Sequence, residues 1–293
     1  MRAIRRAWPV EDFFVIFNWH QVTPGFDPGI HGEYTWTGLA DFQKEIDYLA
    51  SEFQILPLYE AIQRLERRTL RRPCVSLTFD DGDASMSEYV LPLLRRRNLP
   101  ATFFINSAYL ACHRSYWFPI LSYLSANKDV SPGFGPPWKL KEEALQLRQT
   151  NDPNLYNQAR SRVEQLASFV PDLGSRLIST GWLSSLDGEQ FSIGAHGHEH
   201  ERFSMMPVEW QRKDLEENVR QLSQFKAFRP VFAVPFGQAH DWTPDTLRIA
   251  REQELDIVLA DGGINIAAGE YYRRIPGDGR KLRPLIQAAM AGN

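Results

Sequence analysis

Two cysteines among 293 residues, Cys74 and Cys112, exclude a disulfide framework or a cysteine-built zinc knot. No apolar run approaches the roughly 20 residues that a membrane-spanning helix requires. The net charge of −3 gives no global attraction to nucleic acid, so none is expected as a partner. No internal repeat and no low-complexity tract is present. The start, "MRAIRRAWPVEDFFVIFNWH", is basic but has no long uncharged apolar stretch and no small-residue cleavage site. A signal peptide is therefore not expected, and a cytoplasmic protein is the default expectation. Histidine is scarce as well: of seven, three fall within five positions, as His196, His198 and His200.

The rest of the composition is that of a soluble globular chain, 43% apolar and 24% charged, long enough to bury a core without staples. We read residues 1–293 as one domain. Eight tryptophans and eighteen phenylalanines would suit stacking on sugar rings, although aromatics mostly fill cores. Cys74, leading into an apolar run, reads as a buried small hydrophobe.

Six short apolar runs predict strands: "FFVIF" (13–17), "CVSLTF" (74–79), "ATFFI" (101–105), "FSIGA" (191–195), "PVFAV" (230–234) and "DIVLA" (256–260). Helical spacing links Leu39, Phe42, Ile46, Leu49 and Phe53, and again Leu215, Val219, Leu222 and Phe225. Strands alternating with helices predict βα units and a mainly parallel sheet or barrel. Residues 107–190 break the rhythm with a loop, "SPGFGPPW" (131–138), and polar, helical-looking sequence over 139–180. This stretch is expected to be a mostly helical insertion between two strands. The arginine runs at 67–72 and 95–97 read as solvated faces; a peripheral contact with anionic lipid or phosphate is the sharper alternative.

The chemically capable residues come directly after the apolar runs: His20, Asp80 and Asp81, His196, Phe236 and Gly237, and Asp261. In a βα barrel the strand C-termini open on one face, where active sites are built. "TFDDGD" sets two carboxylates at a strand end, and adjacent strand residues point to opposite faces. One acid can then hold a cation while the other serves as a base. A helix cap and turn cluster would use the same residues. His196 and His200, four apart, can aim both imidazoles at one metal, and with one aspartate they reach the three protein ligands of a catalytic zinc site. His198 is expected to stand beside the ligand set, and Glu199 to be solvated or supporting.

"LTFDDG", "LPATFFI", "IGAHGHEH" and "FAVPFG", in that order, resemble the polysaccharide deacetylases of the NodB-homology group, carbohydrate esterase family 4. Their motifs are T-F-D-D-G, then H-[ST]-x-x-H after "IG", then an ending P-[FY]-G. "FNWHQVTP" and "DFQKEIDYLASEFQILPLYEAI" resemble the opening of many members, and the likeness runs from about 13 to about 276. The resemblance implies a distorted (β/α) barrel and metal-dependent removal of the N-acetyl group from an N-acetylated sugar. It implies Asp80 as general base, Asp81, His196 and His200 as ligands of a divalent metal, first of all Zn2+, and the Pro235-Phe236-Gly237 turn as donor of a backbone N–H, that of Phe236, to the oxyanion.

The chain departs from the pattern at three places. Ala233 stands where the family usually has an arginine paired with the base; Arg274 in "YYRRIPGDGR" is the candidate substitute and Arg273 the alternative. Gly197 replaces the usual Ser or Thr. No C-terminal "LxH" supplies a general acid, so His20 is expected to fill that role, with His240 as second choice. With no leader expected, a lipid-linked or nucleotide-linked saccharide is as plausible a substrate as a polymer. The alternatives are a deformylase on a lipid-linked sugar, a glycan-binding protein that has lost catalysis on the same fold, and, more remotely, a Mg2+-dependent phosphotransferase.

Overall fold

The structure is a computed structural model that describes residues 12–27, 35–110, 149–166, 176–277 and 282–291, with the single positions 120, 123, 139 and 142. Its strands are β1 (Phe14–Trp19), β2 (Gln21–Thr23), β3 (Trp36–Gly38), β4 (Gln54–Ile55), β5 (Cys74–Phe79), β6 (Ala101–Ile105), β7 (Phe191–Ala195), β8 (Phe228–Ala233), β9 (Asp256–Leu259) and β10 (Tyr272–Pro276). Its helices are α1 (Leu39–Glu52), α2 (Leu58–Glu66), α3 (Leu91–Arg96), α4 (Pro153–Leu166), α5 (Thr180–Ser184), α6 (Val208–Leu222), α7 (Pro244–Glu252) and α8 (Leu282–Ala291).

Seven strands close into a parallel barrel in the order β1-β10-β9-β8-β7-β6-β5, with β5 pairing back onto β1 and β4 lying outside on β5. Closure leaves these seven without a free edge. The expected barrel is therefore what the chain forms. Residues alternate across its wall as the two-residue period requires. Phe13, just before the first strand, and Val15, Phe17 and Trp19 within it belong to the outer core with Val75, Leu77, Phe79, Phe103 and the face of α1, whereas Phe14 and Ile16 join Phe104, Val231, Ala233, Val258 and Tyr272. Trp19 stacks on Phe79, ring centroids 5.6 Å apart, and Phe79 on Phe103 at 5.4 Å. Helix α2 touches β1, β5 and β8, strands from different sides of the ring.

All six expected strands hold to within two residues; the run read at 230–234 forms Phe228–Ala233. The seventh barrel strand, β10, was missed; its core "YRRIP" carries two arginines. Helix α1 matches its stripe. The second helix stops at Leu222, so Phe225 lies beyond it, and its buried face includes Gln211, Asp214 and Asn218 beside Leu215 and Leu222. The insertion leaves β6 and returns at β7 as expected, with α4 and α5 inside it. Cys112 and the loop at 131–138 lie outside the described residues. Cys74 is buried, as expected, and burial pushes its thiol up to about 12. Among the described residues no helix is long and apolar enough to cross a membrane.

Candidate metal centre and active site

The residues after the strand ends converge on one mouth of the barrel. Asp80 and Asp81 follow β5, His196 follows β7, and His200 lies four residues on in the same loop. Ligand atoms of Asp81, His196 and His200 all lie within 4.8 Å of one another, and all three residues are buried. The His200 and His196 Nε2 atoms stand 3.1 and 3.4 Å from Asp81 Oδ1. The two imidazoles meet edge to face with centroids 4.9 Å apart.

The tautomer of His196 follows from its partner. Its Nδ1 lies 2.7 Å from the Ala233 carbonyl, which can only accept, so Nδ1 carries the proton and Nε2 faces Asp81. With Nδ1 so engaged, Nε2 is the ring atom left to ligate a cation beside Asp81. Two imidazoles and one carboxylate suit zinc, so the residues present fit a divalent metal. Burial pushes the Asp81 carboxyl up, but His200 and His196 outweigh it and hold the acid well below the usual range. His196 shows the reverse balance: burial lowers its pKa, and Asp80 and Asp81 more than restore it, leaving it raised.

Asp80 stands beside this group as a separate carboxylate. Arg274 Nη1 and Nη2 donate to its Oδ1 and Oδ2 at 2.8 and 2.6 Å. Asn18 Nδ2 donates to Oδ2 at 3.2 Å, and the Asn18 amide oxygen accepts from Thr78 Oγ1 at 3.1 Å. The His196 and His20 Nε2 atoms lie 3.5 and 3.7 Å from Oδ2. Burial raises this carboxyl, and Arg274, then His196 and His20, overcome it, so Asp80 lies below its ordinary value. Of the two candidate arginines, Arg274 reaches Asp80; Arg273 pairs instead with Asp261 at 3.4 Å. His20, with its side chain 28% exposed, lines the same site, and burial is the main cause of its lowered pKa. His240 pairs with Asp241 at 3.4 Å, away from the two aspartates.

The third loop closes the site. The Gly237 N–H donates to the Pro235 carbonyl at 2.7 Å, a tight three-residue turn around Phe236, whose ring meets His200 edge to face at 4.8 Å. Among the described residues, six that are not glycine have positive φ, and three of them are Asp81 (+73°), His200 (+54°) and Phe236 (+61°). Backbone conformations of this cost persist where the surroundings hold them, and they cluster at functional sites.

Sequence reasoning missed the residues that hold the loops in place. Asn218 accepts the His196 N–H at 3.0 Å and donates to the Ile105 carbonyl and to Ser107. Asn106 donates to the carbonyls of His196 and Gly197. Asp214 accepts the N–H groups of His198 and Glu199 at 2.7 and 2.9 Å. The His198 ring turns to Ser107, 2.9 Å away, and does not belong to the Asp81–His196–His200 cluster. A signal was there: Gln211, Asp214 and Asn218 repeat at helical spacing in phase with Leu215 and Leu222, which marks a polar patch on a core-facing stripe.

Residues 67–149 match the family model described as "Polysaccharide deacetylase", a segment that includes Asp80 and Asp81. No curated protein matches the sequence. Among solved structures, the chain resembles the Streptococcus pyogenes deacetylase PplD in complex with acetate, with TM-score 0.59 and 15% identity over 96% of this chain and 100% of that one. It also resembles a de-N-acetylase from Aggregatibacter actinomycetemcomitans, with TM-score 0.64 and 13% identity over 94% of this chain and 100% of that one. A third neighbour is IcaB from Ammonifex degensii, with TM-score 0.56 and 16% identity over 95% and 96% of the two chains. At such identities the likeness is one of fold, and the fold is the barrel found in these deacetylases.

Proposed function

Starting from the polysaccharide deacetylase family, which the match at residues 67–149 and the barrel both support, we propose that the chain is a metal-dependent carbohydrate N-deacetylase. The observation that carries the reading is the meeting of Asp81, His196 and His200 beside a second buried carboxylate that an arginine keeps ionised. A divalent metal held by those three residues, Zn2+ in our reading, would polarise the amide carbonyl and lower the pKa of a water toward about 7.

The chain's own groups supply the rest. Asp80 takes the proton of the attacking water as general base, and Arg274 fixes the direction of its oxygens. The Phe236 N–H, presented by the Pro235–Gly237 turn, stabilises the developing oxyanion. His20, with Nε2 3.7 Å from Asp80 Oδ2 and partly exposed, passes the proton that Asp80 has taken from the water on to the departing amine, so that both groups end as they began. The whole chain acts as one catalytic unit on an N-acetylated saccharide, and we include lipid-linked and nucleotide-linked sugars among the substrates. Ala233 and the missing C-terminal acid motif favour the glycan-binding alternative without catalysis; against it, the guanidinium absent at 233 reaches Asp80 from β10 instead, which favours an active enzyme.

Acetate release should be measured over N-acetylated monosaccharide conjugates, lipid-linked sugars and polymers, with and without Zn2+, and with N-formyl analogues in parallel. Zn2+-dependent acetate release that Asp80→Asn abolishes is the expected result. Formate release alone would make the chain a deformylase, and full activity in Asp80→Asn would remove the mechanism.

A further inference from the structure

The loop that carries His200 is anchored by residues that this chemistry does not use. Directly after His200, Glu201 accepts hydrogen bonds from the Tyr156 hydroxyl and the Arg160 Nε of α4. Arg202 comes next and is fully buried. Its Nη1 donates to the Thr150 carbonyl at 2.6 Å, its Nε to Asp241 Oδ1 at 2.9 Å and its Nη2 to the His240 carbonyl at 3.1 Å. Asp241, equally buried, accepts the Gln238 N–H at 3.0 Å, and its own N–H donates to the Gln238 carbonyl at 2.8 Å. Gln238 directly follows the turn around Phe236. One ion pair thus spans from two residues past His200 to the loop that presents Phe236.

A buried Arg–Asp pair adds little net stability, because desolvation offsets most of the attraction. What it fixes is direction, since the guanidinium fork accepts only a narrow set of partner positions. We propose that Arg202 and Asp241 are positioning residues that hold the His200 loop and the Phe236 turn in one mutual register. Tyr156 and Arg160 brace the same loop from the insertion. The proposal rests on the metal-dependent reading above. None of the four touches reacting atoms; they act through His200 and Phe236, whose rings lie 4.8 Å apart.

The test compares Asp241→Asn, Arg202→Lys, Tyr156→Phe and a control, Leu49→Ala, placed in the outer core away from the site. Three quantities are read: Zn2+ affinity of chelator-treated protein by calorimetry, thermal stability without metal, and kcat and KM for acetate release. Asp241→Asn is expected to weaken Zn2+ binding about 10- to 100-fold, as loss of groups that orient metal ligands does. It should also lower kcat about 100-fold with KM unchanged. Arg202→Lys, which keeps charge but not the fork, should fall between Asp241→Asn and wild type. Leu49→Ala should lose stability and leave both the metal affinity and kcat as they were.

Asp241→Asn that loses stability like the control but keeps its Zn2+ affinity and kcat would overturn the proposal. Should Asp241→Asn fail to fold, Tyr156→Phe decides: it removes one bond to Glu201, and unchanged Zn2+ affinity would count against the brace. Wild-type protein that binds Zn2+ but releases no acetate fails the deacetylase reading alone, and the comparison of affinities still judges the proposal. Wild-type protein that binds no Zn2+ sinks both.

Discussion

Arg274 of β10 holds Asp80, at the end of β5, through two hydrogen bonds of 2.8 and 2.6 Å, with both side chains buried. The sheet register shows how far it reaches. Arg274 is level with Ile16 of β1, and Ile16 with Ser76 of β5, four residues before Asp80. The guanidinium therefore climbs the inside of the barrel, passing 5.8 Å from the centre of the Phe104 ring. Small residues on the inner wall, Ser76, Thr78, Thr102, Ser192 and Ala233, leave it room.

Arg274→Met should leave a buried unpaired carboxylate, a loss of about 3–5 kcal/mol unless Asp80 takes up a proton. Denaturant unfolding would show the loss, and the acid limb of the rate profile should move to higher pH as Asp80 loses the cation that lowers its pKa. Returning an arginine to the position usual in the polysaccharide deacetylases, as Ala233→Arg with Arg274→Met, should recover part of the rate. Double-variant activity no better than Arg274→Met alone would show that the β10 position is not interchangeable with the β8 one.

The two adjacent aspartates should separate cleanly by assay. Asp81→Asn, His196→Ala and His200→Ala remove the proposed ligands and should each abolish stoichiometric Zn2+ retention after dialysis. Asp80→Asn leaves the ligand group whole, so metal should be retained while kcat drops about 10²- to 10⁴-fold, the usual contribution of a general base. Loss of metal in Asp80→Asn would make that residue a ligand instead.

His20 lies 3.7 Å from Asp80 and is the expected proton donor to the leaving amine. His20→Gln should lower kcat about 100-fold or more with little change in KM. Substrates with a better leaving group than a sugar amine, such as aryl acetates, need no such proton and should lose far less. Equal losses on both classes would place His20 outside proton transfer.

Gly197 has φ +73°, and a Cβ there would come within 2.9 Å of Asp214 Oδ1 and 3.2 Å of Phe203. A side chain at that position would therefore have to displace the Asp214 carboxylate. Gly197→Ser should destabilise the protein by about 1–3 kcal/mol, from backbone strain together with the displaced carboxylate. Unfolding in denaturant measures it directly.

Much of this cluster could be read in the chain because the residues at barrel strand ends follow apolar runs, which show in any sequence. Asp80, Asp81 and His196 were singled out that way and His200 by its spacing, and the fold brings them together. The supporting set was harder. Arg274 sits in a strand that looks polar, and only its pairing with Asp80, distant in sequence, makes burial of its charge tolerable. Asn18 shares a strand face with His20, and Asp214 and Asn218 share a helix stripe with leucines, yet isolated amides and carboxylates in amphipathic segments usually face water. Their partners are backbone N–H groups of a loop that sequence alone does not place.

Asp214 gives the chain a pH signature of its own. Burial lifts its carboxyl to about 7, although it accepts the N–H groups of Glu199 and His198, which pull the other way. Unfolded, the same group titrates near 3.9. From about pH 4 to about pH 7, then, the folded protein keeps a proton that the unfolded chain has released. This contribution is fully present below pH 4, declines as pH rises through the window, and has gone above about 7. Asp214→Asn cannot titrate and loses an acceptor to one of the two N–H groups at every pH. The stability advantage of wild type over Asp214→Asn should therefore be greatest near pH 4 and shrink toward pH 7, by at most about 1.4 kcal/mol per pH unit. Other titrating groups, His196 among them, are shared by both proteins and cancel in the difference. Denaturant unfolding of metal-free protein from pH 4 to 8 measures it; an advantage that stays constant or grows with pH would show that Asp214 is ionised throughout the window.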